Sequence, residues 1–264
     1  MLVHDLDSAK KIFNSGFKCV FFNHDEIESQ FFKKNISKEK FFEFRKKAFL
    51  NYTYSYNEVD KYGYKYLHFS ADFKKCLKPR QHFKKYDIGS MMTSVGPTEF
   101  DRYLKAYNLK IFLNKKNVKN YISIISRCQN LLNKTQKAKK ETFDQYLDKI
   151  KSHNAIKSYS RLYPWCKTVF ITAKANQKYV PSHKMFYIIS YNIKLLTDNA
   201  FFKNEPWYDE EHVMIVKDIG NINDDVIKWC QKPLTTGYKN IDCFKTKNIF
   251  EEVLNDANAK AKLK

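Results

Sequence analysis

Glycine and proline number only six each in this sequence, and arginine five against 43 lysines. With 22 Asn, 22 Phe and 18 Tyr alongside, that bias is what an AT-rich genome writes through its codons. The six cysteines, at 19, 76, 128, 166, 230 and 243, form no C-x-x-C pair and have no histidine at zinc-finger spacing. This argues against a disulfide scaffold or a structural zinc site and for reduced thiols in an intracellular compartment, cytoplasm or organelle matrix. No apolar run approaches the 18 or so residues of a membrane span, and MLVHDLDSAKK does not read as a secretory signal. Also missing are G-x-G-x-x-G, G-x-S-x-G, G-x-x-x-x-G-K-[ST] and any H-x-H or H-E-x-x-H pattern among the seven histidines. The residues therefore nominate no catalytic group, no metal ligand and no cofactor.

What is present in excess is positive charge. The net charge is +20, and it is unevenly placed: residues 1–60 carry +1, 61–140 carry +15, 141–204 carry +6 and 205–264 carry −2. Codon bias acts on every segment alike, so the 61–140 excess calls for a phosphate-binding surface. Hydrophobic residues at 43% and aromatics at 16% make this a folded chain, long enough to bury a sizeable core.

The second excess is tyrosine. In NYTYSYNEVDKYGYKYLHF, Tyr52, Tyr54 and Tyr56 alternate, and so do Tyr62, Tyr64 and Tyr66 after a five-residue polar break. Alternation puts each trio on one face of a strand, and the break has the length of a hairpin loop. The expected pairs are Tyr56 with Tyr62, Tyr54 with Tyr64 and Tyr52 with Tyr66. Such a face either stacks bases or packs beneath a helix. The candidate cover is a helix from Ser37 with Phe41, Phe44 and Ala48 in its apolar stripe.

Around these lies an alternation of elements. Helices are expected at Asp5–Phe13, from Asp25, at Ala71–Leu77, from Val118, from Ser182 through Leu196, from Asn223 or Asp224 through Cys230 and over Asn248–Lys262. Met185–Leu196 also fits a strand. Strands are expected at Phe17–Phe22, Leu109–Leu113, Cys166–Ala173, His212–Val216 and Ile241–Phe244. The loop bounded by Gly89 and Gly96, before Pro97 and Thr98, offers either a phosphate contact or an ordinary capped helix start. The fold class is α/β: a basic helical and β-hairpin region at 1–140, then a small, largely parallel α/β layer at 141–264, separable or continuous.

These features point to a non-catalytic nucleic-acid-binding protein, RNA before DNA, in a ribonucleoprotein such as a ribosome with other protein partners and no membrane. Lys74, Lys75, Lys78, Arg80, Lys84, Lys85, Arg102, Lys115, Lys116 and Lys119 would meet phosphates, and the six tyrosines would stack. Two alternatives stand beside it. One is a nuclease holding Mg²⁺ through late carboxylates such as Asp218 and Asp242, with Lys217 or Lys245 nearby; the other is a structural, protein-interaction component.

Overall fold

The structure, a computed structural model, describes residues 15, 18–23, 37–68, 84–94, 100–126, 159–172, 184–217, 219 and 222–263. In chain order the elements are β1 (Val20–Asn23), α1 (Lys38–Lys47), β2 (Leu50–Thr53), α2 (Tyr56–Tyr62), β3 (Lys65–Tyr66), β4 (Tyr86–Ser94), α3 (Phe100–Lys115), β5 (Asn120–Ser126), α4 (Tyr159–Leu162), β6 (Cys166–Ile171), α5 (Lys184–Ser190), β7 (Lys194–Thr197), β8 (Val213–Ile215), α6 (Asp224–Gln231) and α7 (Thr246–Lys262). Two compact units contain them: Met1–Asp72 with Lys178–Ser182 and Ile241–Lys264, and Phe73–Gln177 with His183–Asn240. Both sheets are parallel and helices connect their strands, so the chain is an α/β protein.

In the first unit β1, β2 and β3 lie in that order, with Phe22 opposite Tyr52 and Thr53 opposite Tyr66. The tyrosine hairpin is not formed. Parallel strands need a crossover, and the stretch read as a loop is the helix α2, which ends at Gly63 in the left-handed conformation (φ 65°) with its N–H on the Val59 carbonyl. Thr53 starts that helix from below: its Oγ1 donates to Glu58 at 2.6 Å and accepts from the Ser55 N–H at 3.1 Å. Tyrosines two apart therefore leave a common face. Tyr56 stacks on Tyr66 at 4.2 Å, Tyr62 meets Phe42 and Tyr64, and Tyr52 stacks on Phe22 at 5.5 Å.

Tyr52 is fully buried, and Tyr64 nearly so. Ile249, Val253 and Ala257, four apart along one stripe of α7, pack with Phe49, Leu50, Tyr52 and Leu67. The Tyr52 hydroxyl donates to Asp256 of α7 at 2.6 Å, and Lys65 pairs with the same carboxylate. Arg45 of α1 is buried too, its guanidinium within 5.0 Å of the Phe21 and Phe41 rings and donating to Asn51 at 3.1 Å. Burial lowers its pKa to about 10.

In the second unit five parallel strands lie in the order β5-β4-β6-β7-β8. α3 presents Ala106, Leu109 and Leu113 on one face, all fully buried against Ile88, Ile122 and Phe170, while Ile111 stays 38% exposed. That 3–4 spacing is why Leu109–Leu113 is helix and not the expected strand. Each buried leucine contributes roughly 1.5–3 kcal/mol relative to exposure. The helix expected from Val118 is instead β5. Asn117 takes a left-handed turn (φ 54°), with the Val118 N–H on the Leu113 carbonyl, and the β-branched run Tyr-Ile-Ser-Ile-Ile then extends.

Asn192 (φ 47°) ends α5 the same way, so the helix expected through Leu196 stops at Ser190 and the rest becomes β7. A third left-handed asparagine, Asn240, precedes Ile241–Phe244, which is a 3₁₀ turn and not a strand. The strands at β1, β6 and β8 and the helices α6 and α7 lie where the sequence places them, with Asn223 capping α6 through the Val226 N–H. The expected helices at Asp5–Phe13, from Asp25 and at Ala71–Leu77, and the Gly96-Pro97-Thr98 helix start, lie outside the described residues.

Gly89 sits within β4 and not at the rim of a loop. A β-carbon there would fall 2.2 Å from the Sγ of fully buried Cys166. Gly89→Ala should therefore destabilise the protein by about 1–3 kcal/mol in urea titrations. Cys166→Ala in that background should restore part of the loss.

A second prediction concerns acid. Burial raises the Asp256 carboxyl, but Lys65 and the Tyr52 hydroxyl outweigh it and hold its pKa below the ordinary value. A depressed folded-state pKa stabilises fully above the unfolded value near ~3.9 and loses that contribution as pH falls through the folded value. Asp256→Asn should cost about 1–3 kcal/mol at pH 7, and urea titrations near pH 3 should find the gap from wild type closing.

Candidate functional site

In an open parallel sheet, two strands whose crossovers leave in opposite directions open a crevice at their carboxyl ends. Along the chain the second unit's sheet runs second, first, third, fourth, fifth. The reversal lies between β4 and β6, where the strand order turns back on itself. The carboxyl edge beside that crevice is polar. Thr172, just past β6, donates to Asp198 Oδ2 at 2.7 Å, and Lys105 of α3 pairs with the same oxygen at 2.6 Å. The Asp198 side chain is 6% exposed and that of Lys105 41%, so the carboxylate is held inside while the lysine side chain reaches it from a partly open face.

The next residues are organised by the same chemistry. Thr197 accepts from the Asn199 N–H, and Asn199 accepts from the Phe201 N–H, which begins the 3₁₀ turn Ala200–Asn204. Deeper in, Ser90 of β4 donates to the Phe170 carbonyl. Lys184, the first residue of α5, is buried with its ammonium 3.2 Å from the Met91 carbonyl and over the Tyr159 ring. Lys105, Thr172, Lys184 and Asp198 were not singled out from the sequence. The signal available was the polar run Thr-Asp-Asn closing an apolar strand; Lys105 and Lys184 read as two lysines among 43.

The sequence-predicted phosphate contacts divide. Lys84, Lys85, Lys115, Lys116 and Lys119 flank the amino ends of β4 and β5, the opposite end of the sheet from the crevice. Lys116 pairs with Asp224 at 2.8 Å. Lys84 is half-buried, donates to the Pro164 carbonyl at 3.2 Å and has its pKa lowered by burial. Arg102 lies in the first turn of α3, at the far end of a helix about 24 Å long. Lys74, Lys75, Lys78 and Arg80 lie outside the described residues. No tyrosine platform accompanies them: Tyr52 and Tyr64 are core residues, and Tyr54, Tyr56, Tyr62 and Tyr66 are half-buried in the first unit.

The late carboxylates do not assemble either. Asp242 pairs with Lys245, Asp224 with Lys116, and Asp209 with His212, while Asp218 lies outside the described residues. Among the described residues no three His, Cys, Asp or Glu side chains are placed to hold a metal ion. No helix described is long and apolar enough to cross a membrane.

No known family profile and no curated protein sequence matches this chain. Solved structures do. Anabaena HepE in complex with UDP and glucose aligns with a TM-score of 0.60 at 9% identity, over 95% of this chain and 74% of its own. Accessory secretory protein 1, 2 and 3 of Streptococcus pneumoniae gives 0.52 at 10% identity, over 100% and 54%. The pneumococcal O-GlcNAc transferase GtfA in complex with UDP and GlcNAc gives 0.51 at 12% identity, over 96% and 55%. The chain thus spans about half the length of two of these proteins and three quarters of the third.

At such identities the likeness is one of fold, and it corrects the functional expectation. The reading as an RNA- or DNA-binding ribonucleoprotein component, and the nuclease reading beside it, fall together. Two of these structures hold UDP and a sugar, and the tyrosine strands meant to stack bases are a helical crossover. This chain has the fold of proteins solved with a uridine nucleotide and a sugar.

Proposed function

We propose that this protein binds a nucleoside diphosphate sugar, of the UDP-sugar class, at the carboxyl edge of its five-stranded sheet and serves glycosyl transfer. The observation that carries this reading is the strand reversal between β4 and β6, with Lys105 and Lys184 beside it, in a fold like that of HepE and GtfA. A diphosphate demands cations and N–H donors, and a crevice at the head of parallel strands is where such groups converge. Lys105 brings a partly exposed side chain there and Asp198 holds its ammonium in position. The Thr172–Asp198 pair supplies the donor and acceptor chemistry that ribose or sugar hydroxyls require.

In glycosyl transfer the bond from the anomeric carbon to the diphosphate oxygen breaks, an acceptor oxygen bonds that carbon, and the acceptor's proton passes to a base. Negative charge grows on the departing diphosphate, and a fixed ammonium stabilises that change more than the ground state. Lys105 is suited to the part by its place on α3, the rigid element leaving β4.

Titration calorimetry with UDP, UDP-glucose and UDP-GlcNAc tests the reading. Saturable one-to-one binding is the expected result, with Lys105→Met weakening it about tenfold, some ~1.4 kcal/mol, and Asp198→Asn weakening it less. Release of UDP from the preferred sugar nucleotide in the presence of acceptor sugars would extend binding to transfer. Absence of binding to all three ligands would refute the proposal.

A further inference from the structure

The amino edge of the same sheet, away from the crevice, holds a cavity of about 810 Å³ into which Lys84, Lys167 and Lys232 converge. That volume is in the range of small-molecule sites. Its far wall is the loop 233–237, and four side chains outside the loop fix it. Glu211 accepts from the Thr235 N–H and hydroxyl and from the Thr236 hydroxyl, which hold its carboxyl down to about 2. The Thr236 carbonyl faces the His212 ring at 3.1 Å and accepts from Asn192 Nδ2 at 3.0 Å. Tyr238 closes the loop by donating to the Ile193 carbonyl at 2.7 Å. The wall is therefore preorganised.

Positive charge is in excess there. Asp87 offsets Lys167, pairing with it at 2.8 Å through one oxygen and accepting from Gln231 through the other, and Glu211 is turned to the loop; among the described residues no carboxylate lines the cavity beside Lys84 and Lys232. Lys194, buried beside them and donating to the Trp229 carbonyl, has its pKa lowered by burial first, with further repulsion from Lys232. Like charges gathered in a concave wall raise the local potential, which an anion relieves.

We infer that this cavity is a second binding site, distinct from the carboxyl-edge crevice, for a phosphorylated small molecule that also carries a hydroxyl, such as a sugar phosphate. The phosphate meets Lys84, Lys167 and Lys232, and the rest of the cavity, lined by Tyr191, Thr235 and Thr236, takes the hydroxyl-bearing body. This site stands whether or not the crevice binds a sugar nucleotide.

Calorimetry of the full chain at low salt with glucose 1-phosphate, glucose and inorganic phosphate tests it. Expected are saturable one-to-one binding of glucose 1-phosphate, weaker binding of phosphate and none of glucose. Lys232→Glu, at an exposed position, should weaken glucose 1-phosphate at least tenfold, and Lys84→Gln by several-fold, with circular dichroism of both variants unchanged. Lys105→Met should leave this affinity intact. The site is overturned if glucose 1-phosphate fails to saturate, if it binds the Lys232→Glu variant as tightly as wild type, or if Lys105→Met weakens it equally. Phosphate binding as tightly as glucose 1-phosphate would overturn the role of the cavity beyond the lysines.

Discussion

Parallel pairing is the constraint from which the rest of this structure follows. Every strand pair described in either sheet is parallel, so each connection has to carry the chain back to the starting edge before the next strand can bond. A helix does this while satisfying its own backbone. Helices on a parallel sheet need apolar stripes, and α3 and α7 provide them through Ala106, Leu109 and Leu113 and through Ile249, Val253 and Ala257. The same requirement separates the two ends of the five-stranded sheet. Strand starts gather Lys84, Lys167 and Lys194, while strand ends gather Thr172 and Asp198.

Within that frame the chain compensates for its shortage of glycine. Helices that must stop abruptly need a residue in the left-handed region, and asparagine occupies it after α3 and α5, at 117 and 192; Asn240 takes the same conformation before the Ile241–Phe244 turn. Asparagine tolerates that conformation because its short amide bonds locally. The device brings a side chain with it, and at Asn192 that side chain lines a cavity. Glycine takes the same left-handed helix end at Gly63, and at Gly89 the Cys166 sulfur leaves no room for a β-carbon.

Polar groups in the first unit are treated in the same economical way. Tyr52 is buried for its ring, and its hydroxyl is taken up by Asp256, which also holds Lys65. Arg45 lies buried among aromatic faces, where a weakly hydrated guanidinium loses less than an ammonium would. The aromatic richness of the segment is thus spent on packing.

Periodicity and stop signals carried much of the fold. The α/β class, β1, β6, β8, α6 with its Asn223 cap, and α7 were legible because apolar spacing and capping act over a few residues. The tyrosine strands were misread because alternation in Tyr52–Tyr66 fits a hairpin as well as a strand, a helix and a strand, and only pairing with β1 and packing under α7 chooses. The site was scarcely legible. Lys105 and Asp198 are 93 positions apart and meet only because α3 and β7 border one crevice. Lys84, Lys167 and Lys232 are scattered along the chain and converge because strand starts share an edge. Local order is set by neighbours in sequence, whereas a site depends on contacts that exist only after distant segments have packed, and only the tertiary structure decides those.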